Sequence, residues 1–328
     1  MPKTSPKLIF LLKACVGVLL LAFVLYRADW NGVVLVLREI SLIWIALLLL
    51  LSIVMIWLSC VKWRLFLSAR GSEVPVRALM KLYLIGYFFN NFAPSNVGGD
   101  VARGMLLGKR IQNKSDSFGT VFLERFTGLV ALIGMALAAT LLRPDLLQNT
   151  ALTLLLAGMG AGFAVMMLLL ISRRAQTLAL RIFDRLPFKK LTAKLRKFVE
   201  VVFYFRAHRR VLLQAMLLSV SFHLITVINT QAACLALGLQ ADFLTLAVVV
   251  PLVLIIAIIP VSVNALGIME GAFVFFLAYA GLDAAEALSV ALVLRVKAFL
   301  LAAAGGVLFL LRPRDLPAEA VEAPCLDY

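Results

Sequence analysis

The sequence predicts an all-α polytopic membrane protein with six transmembrane helices and two oppositely oriented re-entrant helical hairpins, arranged as an inverted repeat. Three observations predict it. Of 328 residues, 63% are apolar and 15% charged, and mean hydropathy is +1.03, far from the half-apolar, quarter-charged mix of a soluble domain. Most basic residues flank apolar runs of about 20 residues, the length that crosses a bilayer. Two further apolar regions are broken near the middle by Pro, Asn and Gly.

The 32 Lys and Arg against 17 Asp and Glu leave a formal net charge of +15. No aromatic-interleaved basic domain and no zinc-ligand spacing accompanies that charge, which excludes a nucleic-acid reading and assigns the surplus to membrane topology. Cys15, Cys60, Cys234 and Cys325 lie far apart and three of them fall in apolar runs, so neither a CxxC metal site nor a disulfide framework is expected.

The first span, Leu8–Tyr26, follows Lys3 and Lys7 as a signal peptide would, but no small-residue cleavage site comes after it, so it reads as an uncleaved helix. Ser41–Cys60 is the second. The first broken region, residues 78–107, is interrupted at Asn90 to Gly99. Gly119–Leu142 and Thr150–Ile171 are the next two spans, the latter with a small-residue packing face from Gly158 to Gly162. A basic loop over 173–210 carries twelve Lys and Arg against Asp184 and Glu200. It reads as positive-inside topology, with stretches such as Leu191–Phe205 able to lie on anionic lipid. Val211–Leu237 crosses again, the second broken region covers 243–280 with its interruption at Pro260 to Gly267, and Ala287–Leu311 is the last span. Residues 1–311 form one transmembrane domain, and 312–328 read as a disordered cytoplasmic tail.

Each half of a broken region is roughly 13–17 residues, about 20–25 Å as a helix and short of the roughly 30 Å hydrocarbon core. With both regions read as re-entrant hairpins, 23 Lys and Arg fall inside, 3 outside and 6 within the membrane. A full crossing by the first would turn the twelve-charge loop outward, against the positive-inside rule. Both termini are therefore expected in the cytoplasm, with the protein in the cell inner membrane. Each hairpin then sits between two spans in opposite orientation, the arrangement in which broken helices meet around a substrate near the midplane.

At the first tip, Pro94 stops the incoming half-helix, Ser95 or Asn96 can cap the outgoing one, and Gly98 and Gly99 allow close backbone approach. The outgoing N-terminus suits a phosphate or carboxylate. Asp100 reads either as a structural cap on that dipole or as a transport residue. Arg103 shares its helical face, Glu124 and Arg125 stand early in the next span, and Arg295 with Lys297 lies in the last one. Charges at such depth face a cavity or one another. Lys13, Lys81 and Lys297 read as snorkelling side chains, whereas Arg125 and Arg295 take corresponding places after each hairpin and read as a substrate or ion-pair set. At the second tip, after Pro260, Asn264 is a candidate cap near Gly267. Glu270 is either the partner of Arg295 or Arg125 or a protonatable coupling carboxylate. His208 lies in the basic loop, and His223 is set among apolar residues with Gln214, Asn229 and Gln231. Without a nucleophile and base, a metal spacing or paired carboxylates, no enzyme and no cofactor is expected.

The string Asn91-Phe92-Ala93-Pro94-Ser95-Asn96-Val97-Gly98-Gly99-Asp100-Val101-Ala102-Arg103, then Glu124-Arg125-Phe126-Thr127-Gly128, Pro260 through Glu270, and Arg295 resembles the flippase-like transmembrane domain of bacterial lysylphosphatidylglycerol synthetases and its free-standing relatives. The resemblance covers about residues 8 to 311. Ala265 and Met269 stand where the family usually has Gly and Arg, so no charged contact is expected from residue 269. It implies a stand-alone relative without the aminoacyl-transferase domain, one that translocates lipid rather than making it. The expected partner is an anionic or zwitterionic lipid, with a coupling proton or Na⁺ left open. The competing reading is a non-transporting subunit that docks a lipid- or glycan-modifying enzyme through the basic loop.

Overall fold

The computed structural model describes residues 40–92, 98–172, 208–259 and 261–311, with a few isolated positions elsewhere. The span at Leu8–Tyr26, most of the basic loop, the tail, and Pro94, Ser95, Asn96 and Pro260 lie outside the described residues. Among the described residues there is no strand. The helices are α1 (Leu42–Ser68), α2 (Val76–Phe92), α3 (Gly98–Arg110), α4 (Lys114–Leu142), α5 (Thr150–Ile171), α6 (Arg209–Ala236), α7 (Phe243–Ile258), α8 (Ile268–Leu277) and α9 (Ala284–Leu310).

α1, α4, α6 and α9 run 27 to 29 residues, enough at 1.5 Å per residue to exceed the roughly 30 Å core. With the stretch Val263–Ala280 they make five segments long and apolar enough to cross a membrane. That last stretch is not one helix. Asn264, Ala265 and Gly267 have φ of 48°, 51° and 77°, and regular helix is confined to Ile268–Leu277. Large apolar side chains, including Leu42 and Ile43 at the start of α1 and Leu310 at the end of α9, stay exposed on the bundle. A surface of that kind is stable against lipid rather than water.

Local signals set the boundaries. Asn113, Asn149 and Asp242 accept the third-position amides that start α4, α5 and α7, and Asp283 with Glu286 forms a reciprocal capping box on α9. The two boundaries furthest from those expected are the end of α1 and the start of α4. α1 continues eight residues past Cys60 to Ser68, which moves Lys62 and Arg64 from a loop into a helix. α4 begins at Lys114 rather than Gly119.

Eight helices pack with a twofold pattern. Exchanging α1 with α6, α2 with α7, α3 with α8 and α4 with α9 maps the main helix pairings onto one another. α2 against α9 becomes α7 against α4, α1 against α2 becomes α6 against α7, and α1 against α4 becomes α6 against α9. Close approaches seat one helix from each half on α2. A Cβ on Gly99 would meet the Gly86 carbonyl and the Asn90 side chain, and one on Gly305 would meet the Leu84 carbonyl, so α3 and α9 approach the backbone of α2 directly.

The two short-helix pairs open at opposite ends of α4. α2 starts beside the end of α1, where Arg70 pairs with Asp116 in the first turn of α4. α7 starts at the other end, where Arg143 after α4 pairs with Asp145 and with the α7 cap Asp242. The Thr245 hydroxyl, then its amide and the Arg143 charge, hold the Asp242 carboxyl below the usual aspartate range. The hydrogen bond from Arg143 does the same for Asp145. Carboxyls depressed in this way stabilise the fold above the unfolded aspartate value of about 3.9 and lose that contribution as pH falls through the folded value. Amide-exchange protection at Thr245 is therefore expected to hold above about pH 4 and to fall below it. Protection unchanged down to about pH 2 would count against this clamp.

Candidate functional site

Among the described residues, seven charged side chains within the bundle form two clusters, one in each half of the twofold pattern, and Lys297 stands apart from both. In the first, five charges alternate in sign along a single chain. Lys62 on α1 lies 3.5 Å from the Glu124 carboxylate of α4 and donates to the Glu124 carbonyl at 3.0 Å and to Ser219 Oγ of α6 at 2.9 Å. Glu124 accepts from Arg103 Nη2 of α3 at 2.6 Å. Arg103 Nε donates to Asp100 Oδ1 at 3.0 Å, and Asp100 receives Arg125 through both carboxylate oxygens, at 2.9 Å from Nη2 to Oδ1 and 3.0 Å from Nε to Oδ2.

Burial is uneven along this chain. Lys62, Arg103 and Glu124 are 2 to 4% exposed, whereas the Arg125 side chain is 51% exposed. The Arg103 guanidinium is held between the rings of Trp63 and Tyr83, 5.0 and 4.7 Å from their centroids, an arrangement that favours a cation. Trp63 is fixed in turn by Nε1 donating to Thr120.

The second cluster is smaller and closed. Glu270, in the first turn of α8, accepts from Arg295 Nε of α9 at 2.6 Å and from the Gly267 amide at 2.7 Å. Arg295 also donates to the carbonyl of Asn264 at 3.1 Å and reaches that of Ala265 at 3.5 Å. Asn264 and Ala265 both have positive φ, and for a non-glycine residue that conformation persists only where its surroundings fix it. Asp100 precedes Arg125 by 25 residues, and Glu270 precedes Arg295 by the same interval. Both pairs join the first turn of a short helix to the long helix after it.

Asparagines join the ends of the two short-helix pairs beside these clusters. Asn264 Nδ2 donates to Asn91 Oδ1 at 2.7 Å, Asn91 Nδ2 donates to the Tyr87 carbonyl, and Asn90 accepts the Gly99 amide at the start of α3. The end of α2 and the 263–265 turn are thus in direct contact.

The residues singled out in the sequence mostly converge on these clusters. Gly98 opens α3, and Asp100, Arg103, Glu124 and Arg125 are linked directly. Glu270 pairs with Arg295 and not with Arg125. Two expectations are corrected. Asn264 does not cap α8: Gly267, three residues later, is the cap residue, and the Asn264 side chain is engaged with Asn91 instead. Lys297 does not snorkel: its amine donates to Asn229 Oδ1 at 2.8 Å, and Asn229 donates to the Leu48 carbonyl. His223 shares a hydrogen bond with the Gly128 carbonyl.

Sequence reasoning missed Lys62, Asn90, Trp63, Tyr83 and Ser219. Lys62 had a readable signal, since Val61-Lys62-Trp63-Arg64-Leu65-Phe66-Leu67 continues the helical run without Pro or Gly.

A family model described as the lysylphosphatidylglycerol synthase TM region matches residues 10–306. A UPF0104 membrane protein of Pyrococcus horikoshii is 26% identical, with 92% of this chain and 96% of the relative covered. A UPF0104 membrane protein of Methanothermobacter thermautotrophicus is 23% identical, with 83% and 86% covered. No solved structure matches.

Proposed function

We propose a lipid-translocating role from one premise: the chain belongs to the lysylphosphatidylglycerol synthase TM region family. In this reading the α2–α3 and α7–α8 pairs are re-entrant hairpins that enter from opposite faces. Six helices span the cell inner membrane with both termini cytoplasmic, and a phospholipid or lipid-linked phosphate headgroup passes between leaflets where the hairpins meet. The chain acts without catalysis or a resident cofactor.

Helix length supports the hairpins. α2, α3, α7 and α8 have 17, 13, 16 and 10 residues, or about 25, 20, 24 and 15 Å, each short of the roughly 30 Å core. Broken backbone at membrane depth is tolerated only where protein or a water-filled cavity covers it. The observation that carries the proposal is the contact between Asn91 and Asn264, which joins the ends of two short-helix pairs opening at opposite ends of α4. A half-exposed arginine lies in the adjoining charge cluster. Intramembrane charges are costly and mark transport pathways, and acyl chains can stay in the bilayer while a headgroup crosses such a site.

The test is reconstitution of the purified chain in liposomes with fluorescent phospholipids, with and without a proton or Na⁺ gradient. Leaflet exchange well above that of protein-free vesicles is expected. Exchange no faster than in protein-free vesicles, for phosphatidylglycerol, phosphatidylethanolamine and polyprenyl phosphate alike, would overturn the proposal and leave the docking-subunit reading in its place.

A further inference from the structure

We infer that Arg125 is the docking point for a single phosphodiester anion, which it accepts by exchanging partners with Asp100. This deepens the lipid-translocation reading and rests on it.

Lys62, Arg103 and Arg125 supply three positive charges, and Glu124 and Asp100 supply two negative ones. Connected as Lys62, Glu124, Arg103, Asp100, Arg125, the cluster begins and ends in a cation and carries one unmatched positive charge. Its Lys62 end is sealed, because that amine is buried and already donates to Glu124 and Ser219. Its other end is open, because the Arg125 side chain is 51% exposed and that of Asp100 only 15%. The surplus is therefore reachable only at Arg125.

Asp100 serves two arginines at once, with Oδ1 receiving both Arg103 Nε and Arg125 Nη2. Releasing Arg125 would leave Asp100 on Arg103 and free the planar fork of Arg125, which matches the paired oxygens of a phosphate. After the exchange each cation has one anion: Lys62 with Glu124, Arg103 with Asp100, and Arg125 with the ligand. A phosphodiester carries the one charge this requires. A phosphomonoester above its second pKa of about 6 carries two and would leave net negative charge in a low-dielectric site.

The twofold-related pair has no such capacity. Glu270 and Arg295 match one to one, are 1% and 8% exposed, and spend their hydrogen bonds on each other, the Gly267 amide and the turn carbonyls. Lys297 donates elsewhere, to Asn229. The halves are alike in layout and different in charge, so one receives the anion and the other holds the turn.

Binding to the purified full-length chain at pH 8 tests this with dioctanoyl phosphatidylglycerol, dioctanoyl phosphatidic acid, dioctanoylglycerol and water-soluble glycerophosphoglycerol. Phosphatidylglycerol is expected to bind best, phosphatidic acid less well, and dioctanoylglycerol and glycerophosphoglycerol weakest. Arg125→Gln is expected to weaken phosphatidylglycerol binding about tenfold or more. Asp100→Asn raises the surplus to two charges and is expected to shift preference towards phosphatidic acid, a gain that misfolding cannot mimic. Wild-type affinity in Arg125→Gln, or a wild-type preference for phosphatidic acid, would overturn the inference. Glycerophosphoglycerol binding as tightly as the lipid would overturn its lipid assignment. Phosphatidylglycerol binding with no leaflet exchange would sink the transport role and leave the site standing, whereas leaflet exchange unimpaired by Arg125→Gln would do the reverse.

Discussion

Glu124→Gln is expected to be the most destabilising conservative substitution in the protein. Glu124 is 4% exposed and is the only carboxylate that Lys62 and Arg103 share among the described residues. Glutamine keeps the size and one acceptor oxygen but removes the charge, which leaves two positive charges around a neutral amide inside an apolar bundle. Breaking a buried ion pair by neutralising one member costs about 3–5 kcal/mol, because the remaining charge is uncompensated. Lys62 loses its carboxylate here and Arg103 keeps only the Asp100 it shares with Arg125, so the upper part of that range is expected. The loss also reaches α1, α3, α4 and α6, since Lys62 ties Glu124 to Ser219 while Arg103 ties it to Asp100. Thermal unfolding in detergent, read beside the size-exclusion profile, measures the loss. Adding Lys62→Met to Glu124→Gln removes one stranded charge and is expected to recover part of the stability. A single variant that unfolds like the wild type would show that the cluster is hydrated enough to screen its charges.

Hydropathy and punctuation made the architecture readable because they report what each segment can be in contact with. Runs of uncharged residues located α6 and α9 to within three positions and α4 to within five, and the Asn, Pro and Gly clusters located both interruptions. Hydropathy marks where a helix leaves lipid, however, and not where the helix ends. α1 therefore runs on to Ser68, and Lys62, which looked like the first charge of a loop, is buried. The chemistry was readable only as a set of residues. Asp100, Arg103, Glu124, Arg125, Glu270 and Arg295 stood out as charges where charge is costly, but partner choice depends on helix rotation and on how the tips cross. Neither is encoded in spacing along one helix. The same holds for Arg125 and Arg295. Their equivalence in sequence is matched by equivalent acidic partners 25 residues upstream, yet one is half exposed and the other buried.

That difference in burial leads to the second large effect, expected at Arg295. Arg295→Leu leaves the Glu270 carboxylate with the Gly267 amide and no cation, at 1% exposure, a stability loss of about 3–5 kcal/mol on the same reasoning. It also removes the donor that holds the Asn264 and Ala265 carbonyls, the backbone that is left-handed at non-glycine residues. Such a turn costs about 1–3 kcal/mol per residue and relaxes when its supports are withdrawn, so Asn264 is expected to lose its contact with Asn91. The double variant Arg295→Leu with Glu270→Leu separates the two consequences. Replacing both members of a buried pair with apolar residues of similar volume is often neutral for stability, so unfolding is expected near the wild-type temperature. Leaflet exchange in liposomes is nevertheless expected to stay low, because neither leucine can hold the turn carbonyls or seat the Gly267 amide. Wild-type exchange in the double variant would mean that the second tip needs packing alone and that Arg295 is there only to neutralise Glu270. Recovered stability with exchange still lost would place the role of the pair in the shape of the turn, and hence in the meeting of the two short-helix pairs that the proposed translocation requires.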